Sequence, residues 1–350
     1  MGSTLKMAII LTVIFQTLPN LAFAEGKSIY GADNRIELFN ASPETNKIAD
    51  SVVSLWTADR VTIDPVAKTA VLSTVNFGER ANLCPGEQFR EQPIGAFCSG
   101  SLVGPDLIMT AGHCVTDAEK CKSIKVVFGF AIKNVGGMPT TKMDQSEVYS
   151  CEEITTRFLG SEPGSVNPAG QTLGPDYALI QLDREVVGHK PLPVNRTASL
   201  KKGDKLMVIG HPVGLPLKIA AGASVRDASK VGYFVADLDT FGGNSGSPVF
   251  NTATKLIEGI LVRGDEDFLE SPAGCTTMAT YAQTGGRGED VTKISALESF
   301  IPKLKASSDA DSFHYMNMDS VATDGIGPHI APSNVSFQHF ISPTLLGVGR

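Results

Sequence analysis

Several function classes are excluded by what the 350-residue chain does not contain. It has no Cys-x-x-Cys pair, and its 6 histidines are scattered, which argues against a zinc site and leaves no metal or other cofactor to expect. It has no Lys/Arg block and no basic stripe interleaved with aromatics. With a formal net charge of −7, that argues against nucleic acid as a partner. After residue 24 no apolar run is long enough to span a bilayer, so no membrane partner is expected. Helical periodicity stays weak until Asp290.

Residues 1–24 read as a secretory leader. Lys6 supplies the positive start, Met7 to Phe15 the apolar run, and Ala22-Phe23-Ala24 the small residues where a signal peptidase cuts. Gln16, Pro19 and Asn20 interrupt the run, which excludes a membrane anchor. The mature chain is therefore expected outside the cytoplasm, periplasmic or extracellular in a bacterium. There, 6 cysteines favour disulfides over redox or metal chemistry.

The 35 glycines and 20 prolines suit a turn-rich β protein. Strand-like runs occur at 51–56, 70–75, 97–102, 107–110, 125–130 and 177–182, and again at 205–210, 231–238, 247–250 and 256–262. Loops rich in Gly, Pro, Ser and Asn fill 136–141 and 160–174. Residues 185–200 read as the connection between two halves. Asp290 is a plausible N-cap, and apolar residues at helical spacing through 291–301 predict a C-terminal helix. The domain reading is an N-terminal segment at 25–50, one half at 51–184, a second with the helix at 185–305, and a flexible extension at 306–350. Asn40-Ala41-Ser42, Asn195-Arg196-Thr197 and Asn334-Val335-Ser336 are glycosylation sequons, meaningful only in a eukaryotic host.

Three local motifs carry chemistry. Gly242-Gly243-Asn244-Ser245-Gly246-Ser247-Pro248 crowds small residues around one hydroxyl. Such a turn lets a substrate approach and aims the amides of Gly243 and Ser245 at a developing oxyanion. Alone, it reads as an ordinary turn between strands. Upstream lies Thr110-Ala111-Gly112-His113-Cys114, and between them Asp176-Tyr177-Ala178-Leu179-Ile180. Neutral serine needs a base, for which His113 is the candidate, and the imidazole needs an orienting acceptor, for which Asp176 is preferred over Asp183. His211, before Pro212, is assigned no catalytic role.

In chain order and local context these motifs resemble the chymotrypsin/trypsin-like serine peptidases. Gly-Asn-Ser-Gly-Ser-Pro-Val-Phe-Asn looks most like the glutamyl-endopeptidase (V8-like) branch. The resemblance covers roughly residues 28–305. It implies an all-β fold of two antiparallel six-stranded barrels with a C-terminal α-helix, and a monomeric secreted endopeptidase acting on proteins or peptides. It implies a Cys98–Cys114 bridge. Cys121–Cys151 with Cys84–Cys275 is the tidiest partition of the rest, among three possible connectivities. Tyr30 to Arg35 resembles the start of mature V8-like enzymes, which would leave a short propeptide ending near Ser28.

Asn244 departs from trypsin, where an Asp before the nucleophile receives the new N-terminus, so that charge switch is not expected. Counting six residues back from Ser245 puts Asp239 on the floor of the primary pocket, which resembles trypsin and favours Arg or Lys at P1. Thr240 occupies the position where V8-like enzymes place a Thr that helps bind Glu. Gly259 to Gly264 would form the pocket wall. There Arg263 either pairs with Asp239, attracts an acidic side chain, or is a solvated rim residue. The alternatives are a Glu-specific endopeptidase and a catalytically silent trypsin-like binding protein. A peptidase with an added peptide-binding domain is disfavoured by the short C-terminal extension.

Overall fold

The computed structural model describes residues 27–160, 173–197 and 199–304. The leader, the C-terminal extension and most of the 160–174 loop lie outside the described residues.

Two closed barrels lie within residues 52–293. The first uses β1 (Val52–Thr57), β2 (Cys98–Leu102), β3 (Leu107–Thr110), β4 (Ile124–Val127), β5 (Val148–Leu159) and β6 (Asp176–Leu182) in the order β4-β5-β6-β3-β2-β1, closed by β1–β4 pairing. The second uses β7 (Lys205–Gly210), β8 (Lys218–Asp227), β9 (Tyr233–Ala236), β10 (Pro248–Asn251), β11 (Ile257–Arg263) and β12 (Glu289–Lys293) in the order β7-β10-β11-β12-β9-β8, closed by β7–β8 pairing. All these pairings are antiparallel. Closure removes the open edges that would otherwise invite aggregation.

Each barrel is filled by its own side chains. Leu206, Val208, Phe234, Val249, Leu261 and Val291 pack inside the second. Those of β6 are buried almost throughout, because its first barrel packs against the second. The inward face is therefore set by alternation, and the sequence between barrels by shared burial.

The predicted C-terminal α-helix is not formed. Glu289–Lys293 is strand β12, followed by 3-10 turns at Ile294–Ala296 and Glu298–Phe300. The β-branched pair Val291-Thr292 favours the sheet, with Val291 in the barrel core. The turns still bury Ile294, Leu297 and Ile301, which is the spacing that mimicked a helix. Two long strands went unread. β5 is rich in Glu and Thr and carries register shifts, and β8 is a Gly/Ala-rich run. The polar N-terminal segment holds an α-helix, Pro43–Ala49, capped by the Ser42 hydroxyl accepting from the Thr45 amide at 3.1 Å.

Disulfides join Cys98 to Cys114, Cys121 to Cys151 and Cys84 to Cys275. The first ties the start of β2 to the loop after β3. At one sequon, the Asn195 amide is buried and donates to both Glu258 carboxylate oxygens, at 2.9 and 3.0 Å.

Candidate active site

The Ser245 turn is held against the first barrel by backbone. Gly246 has φ +90°, and a Cβ there would strike the Ser99 carbonyl and the Thr110 hydroxyl, so only glycine lets the turn sit this close. The Ser99 amide donates to the Ser245 carbonyl at 2.8 Å. The Ser99 hydroxyl donates to the Gly243 carbonyl at 2.9 Å and accepts from the His211 amide at 2.9 Å. Within the turn, Asn244 donates to Phe241, Gly246 to Leu261 and Ser247 to Asn244. The amides of Gly243 and Ser245 have no acceptor among the described residues. The turn thus presents two idle amides beside one hydroxyl.

His113 follows β3 and Asp176 opens β6, strands that pair directly, Ala178 opposite Thr110. That register brings them together. His113 Nδ1 lies 2.6 Å from Asp176 Oδ2, while Asp176 Oδ1 accepts from the amides of Gly112 (2.6 Å) and His113 (3.2 Å). Gly112 is required: a Cβ there would press on the carbonyls of Phe158 and Tyr177. Burial pushes the Asp176 carboxyl up, but the His113 hydrogen bond and charge, with Arg263 behind them, outweigh it and hold the group below its ordinary value.

Thr292 was not singled out in the sequence. Its hydroxyl accepts from the Asp176 amide and donates to the Asp176 carbonyl, both at 2.9 Å, clamping the residue from the second barrel. No motif signals it; it becomes visible only once β12 is known to be a strand.

A second group of buried carboxylates is bonded to the residues that lead into the Ser245 turn, Thr240 and Gly242. Glu289 is fully buried; its carboxylate accepts from the Thr240 hydroxyl (2.9 Å), the Tyr30 hydroxyl (3.2 Å) and the Ser28 amide (3.3 Å). Burial, above all, holds its pKa well above the usual carboxylate range. It lies directly against Gly264, where a Cβ would collide with it. Asp267 accepts from the Gly242 amide and from the amide of Lys27, and burial raises it to about 6.

Asp239 is placed differently from the expected pocket floor. Its two oxygens accept from the Tyr30 and Asn34 amides, each at 2.8 Å, so it anchors the N-terminal turn. Arg263 is neither on a rim nor paired with Asp239. It is buried, facing its cross-strand partner Asp290 at 3.2 Å and donating to the Gly174 carbonyl. The register of β11 on β12 sets that pairing, and no single strand reveals it.

Lys27 fills the space between these acids and the nucleophile. It is fully buried, and its Nζ donates to Ser245 Oγ at 3.0 Å. His113 Nε2 has no hydrogen-bond partner among the described residues. His211 is buried, its ring bonded to the Leu215 carbonyl and stacked on Phe130; burial lowers its pKa to about 4. Cys98, His113 and Cys114 lie close enough to suggest a metal site, but both sulfurs are in a disulfide and offer no thiolate.

Residues 98–259 match the family model described as a trypsin-like peptidase domain. A glutamyl endopeptidase of Bacillus licheniformis is 28% identical over 166 residues, covering 45% of this chain and 46% of that protein. A probable periplasmic serine endoprotease, DegP-like, of Pseudomonas fluorescens is 26% identical over 183 residues, 49% of this chain and 30% of that protein. The chain thus spans less than half the length of these curated relatives. Among solved structures, the VesB protease of Vibrio cholerae aligns at TM-score 0.46 and 17% identity, over 77% of this chain and 66% of that one. A Glu endopeptidase aligns at TM-score 0.42 and 18% identity, over 78% and 97%.

Proposed function

We propose that this chain, which carries a trypsin-like peptidase domain, is an exported serine endopeptidase using Ser245, His113 and Asp176. The observation that carries the reading is the His113–Asp176 pair at 2.6 Å, together with a Ser245 turn that is bonded to the same barrel through Ser99 and whose Gly243 and Ser245 amides have no acceptor among the described residues. In the reaction, Ser245 Oγ turns to His113 Nε2, gives up its proton and attacks the substrate carbonyl. The amides of Gly243 and Ser245 receive the oxyanion, and His113 returns the proton to the departing amine. Water then hydrolyses the acyl-enzyme with His113 again as base. Asp176 keeps Nδ1 protonated throughout.

Export is supported by the three disulfides and the leader motif. No described helix is long and apolar enough to cross a membrane. The substrates are proteins or peptides, and a preference for Arg or Lys at P1 is supported by the buried carboxylates Glu289 and Asp267, bonded to Thr240 and Gly242 just ahead of Ser245. A second reading, Glu at P1, is favoured by the glutamyl endopeptidase among the relatives.

The test is covalent labelling by a fluorophosphonate. The wild-type chain should be labelled and Ser245→Ala should not, with kcat reduced on the order of 10⁶-fold. Equal labelling of the two would exclude Ser245 as nucleophile.

A further inference from the structure

We infer that Glu289 and Asp267, rather than Asp239, form the cation-recognising pocket for the P1 side chain, and that Lys27 occupies this pocket backwards and occludes it. The inference rests on the peptidase reading above and adds the identity and resting state of its pocket.

Position is the first support. Gly264 ends the segment expected to form one pocket wall, and Thr240 belongs to the segment expected at the floor. The Glu289 carboxylate touches both, bonded to the Thr240 hydroxyl and packed on Gly264. Asp267 joins it through the Gly242 amide, three residues before the nucleophile. Asp239 is already committed to two backbone amides of the N-terminal turn.

Lys27 provides a ruler. Its main-chain amide donates to Asp267, the next amide approaches Glu289 at 3.3 Å, and its ammonium reaches Ser245 Oγ at 3.0 Å. The acids therefore stand about one lysine side chain from the nucleophile, the separation a P1 Lys or Arg must span. A substrate would run the other way, with its carbonyl at Ser245 and its cation at the acids. Lying in reverse, Lys27 presents no carbonyl to Ser245 and cannot be cut there.

The donor set also suits a cation. The hydrogen bonds that Glu289 accepts come from neutral hydroxyls and an amide, while the charge of Lys27 is the strongest influence opposing its burial. Buried carboxylates without a matching cation are costly, so a basic P1 side chain gains more from this site than an apolar one. Occlusion has its own mark at the nucleophile. Ser245 Oγ accepts from Lys27 while His113 Nε2 has no partner among the described residues. Base and nucleophile become paired only when the ammonium leaves.

The experiment uses the full chain and four probes: a fluorophosphonate, which needs no P1 side chain, and peptidyl diphenyl phosphonates ending in Arg, Leu or Glu. Lys27→Ala should raise the rate of fluorophosphonate labelling about tenfold, the fraction of open sites having been limiting. In the Lys27→Ala chain, Arg should react faster than Leu by about thirtyfold or more, and Glu289→Gln should erase most of that ratio. Asp267→Asn serves as a second pocket variant and should lower the ratio in the same direction. The fluorophosphonate rate reports that each variant is folded. Equal labelling of wild type and Lys27→Ala overturns the occlusion. An Arg/Leu ratio near one, a ratio untouched by both pocket variants, or faster reaction with Glu, overturns the pocket assignment. Absence of fluorophosphonate labelling in every variant removes the peptidase reading itself.

Discussion

Asp176 and Glu289 are both buried carboxylates, contributed by opposite barrels, and their environments push them in opposite directions. Asp176 faces an imidazole and two amides, feels the Arg263 charge as well, and sits below its ordinary value. Glu289 faces hydroxyls and an amide, and sits well above its own. Burial is the first cause acting on both, so burial does not decide the outcome. What decides it is whether the hydrogen bonds and charge around the group outweigh burial, as His113 and Arg263 do for Asp176 and as Lys27 and three neutral donors do not for Glu289. The first arrangement suits a group that stays ionised through a catalytic cycle. The second suits a group that waits for charge to arrive.

The largest effect that tests this contrast is loss of the built-in cation partner. Asp176→Asn keeps the shape but turns the imidazole to the wrong tautomer, and kcat should fall by about 10⁴-fold. Asp239→Asn, which touches only the N-terminal turn, should alter kcat by less than about tenfold on the same substrate. Comparable losses in the two would mean that Asp176 acts through structure alone. A smaller effect is expected one step behind Asp176. Thr292→Val removes the clamp on its backbone and should lower kcat about tenfold with KM nearly unchanged, and Thr292→Ser should restore it. A change confined to KM, or no rescue by serine, would argue against a positioning role.

The same contrast explains how much of the site was legible in the sequence. Ser245, His113 and Asp176 could be singled out because each sits in a short motif whose neighbours are needed for local geometry, as Gly112 and Gly246 are. Glu289, Thr292 and Lys27 carry no such local mark. Their significance comes from register: β11 on β12, β12 against the start of β6, and residues 27–34 laid along the second barrel. Arg263 was misread for the same reason, since its partner Asp290 is set by cross-strand pairing. The strands of both barrels were readable where apolar residues alternate. They were missed where β5 runs through Glu and Thr and where β8 runs through Gly and Ala. The 291–301 stretch was misread because a strand followed by 3-10 turns buries nearly the same positions as a helix.

The raised acids also predict how stability responds to pH. Burial lifts Asp239 from 3.8 to about 6. A carboxyl raised on folding contributes stability that is present below the unfolded value and is lost as pH rises through the folded one. Relative to wild type, Asp239→Asn should therefore gain thermal stability as pH climbs from 3.8 to about 6, whatever constant offset its amide introduces. A difference in Tm that stays flat across that window would show that the Tyr30 and Asn34 amides already hold the carboxylate ionised.

The smallest expected effect concerns a cation that is built in but lies far from the chemistry. His189 stacks on Phe128 at 4.2 Å, with Nδ1 at 2.8 Å from Asp50 and Nε2 at 3.0 Å from Glu147. Burial pulls its pKa down, but two hydrogen bonds and two negative charges outweigh that and raise it to about 9. Both ring nitrogens donate, so the imidazolium is the form that the fold selects. A base raised on folding contributes stability that is complete below its unfolded value of 6.5 and is lost as pH rises through about 9. Asp50 is exposed, so solvent screens the pair, and the loss should be about 1 kcal/mol or less, a shift of about 2–4 °C in Tm. His189→Gln should lower Tm at pH values below 6.5 and converge on wild type above about 9. Lys218, which burial depresses from 10.5 to about 8, overlaps the upper end of this window with the opposite sign, because its unfolded form takes up the proton first. Lys218 titrates in both proteins and cancels in the comparison, so a Tm difference between wild type and His189→Gln that stays flat from pH 6.5 to about 9 would remove His189 as a source.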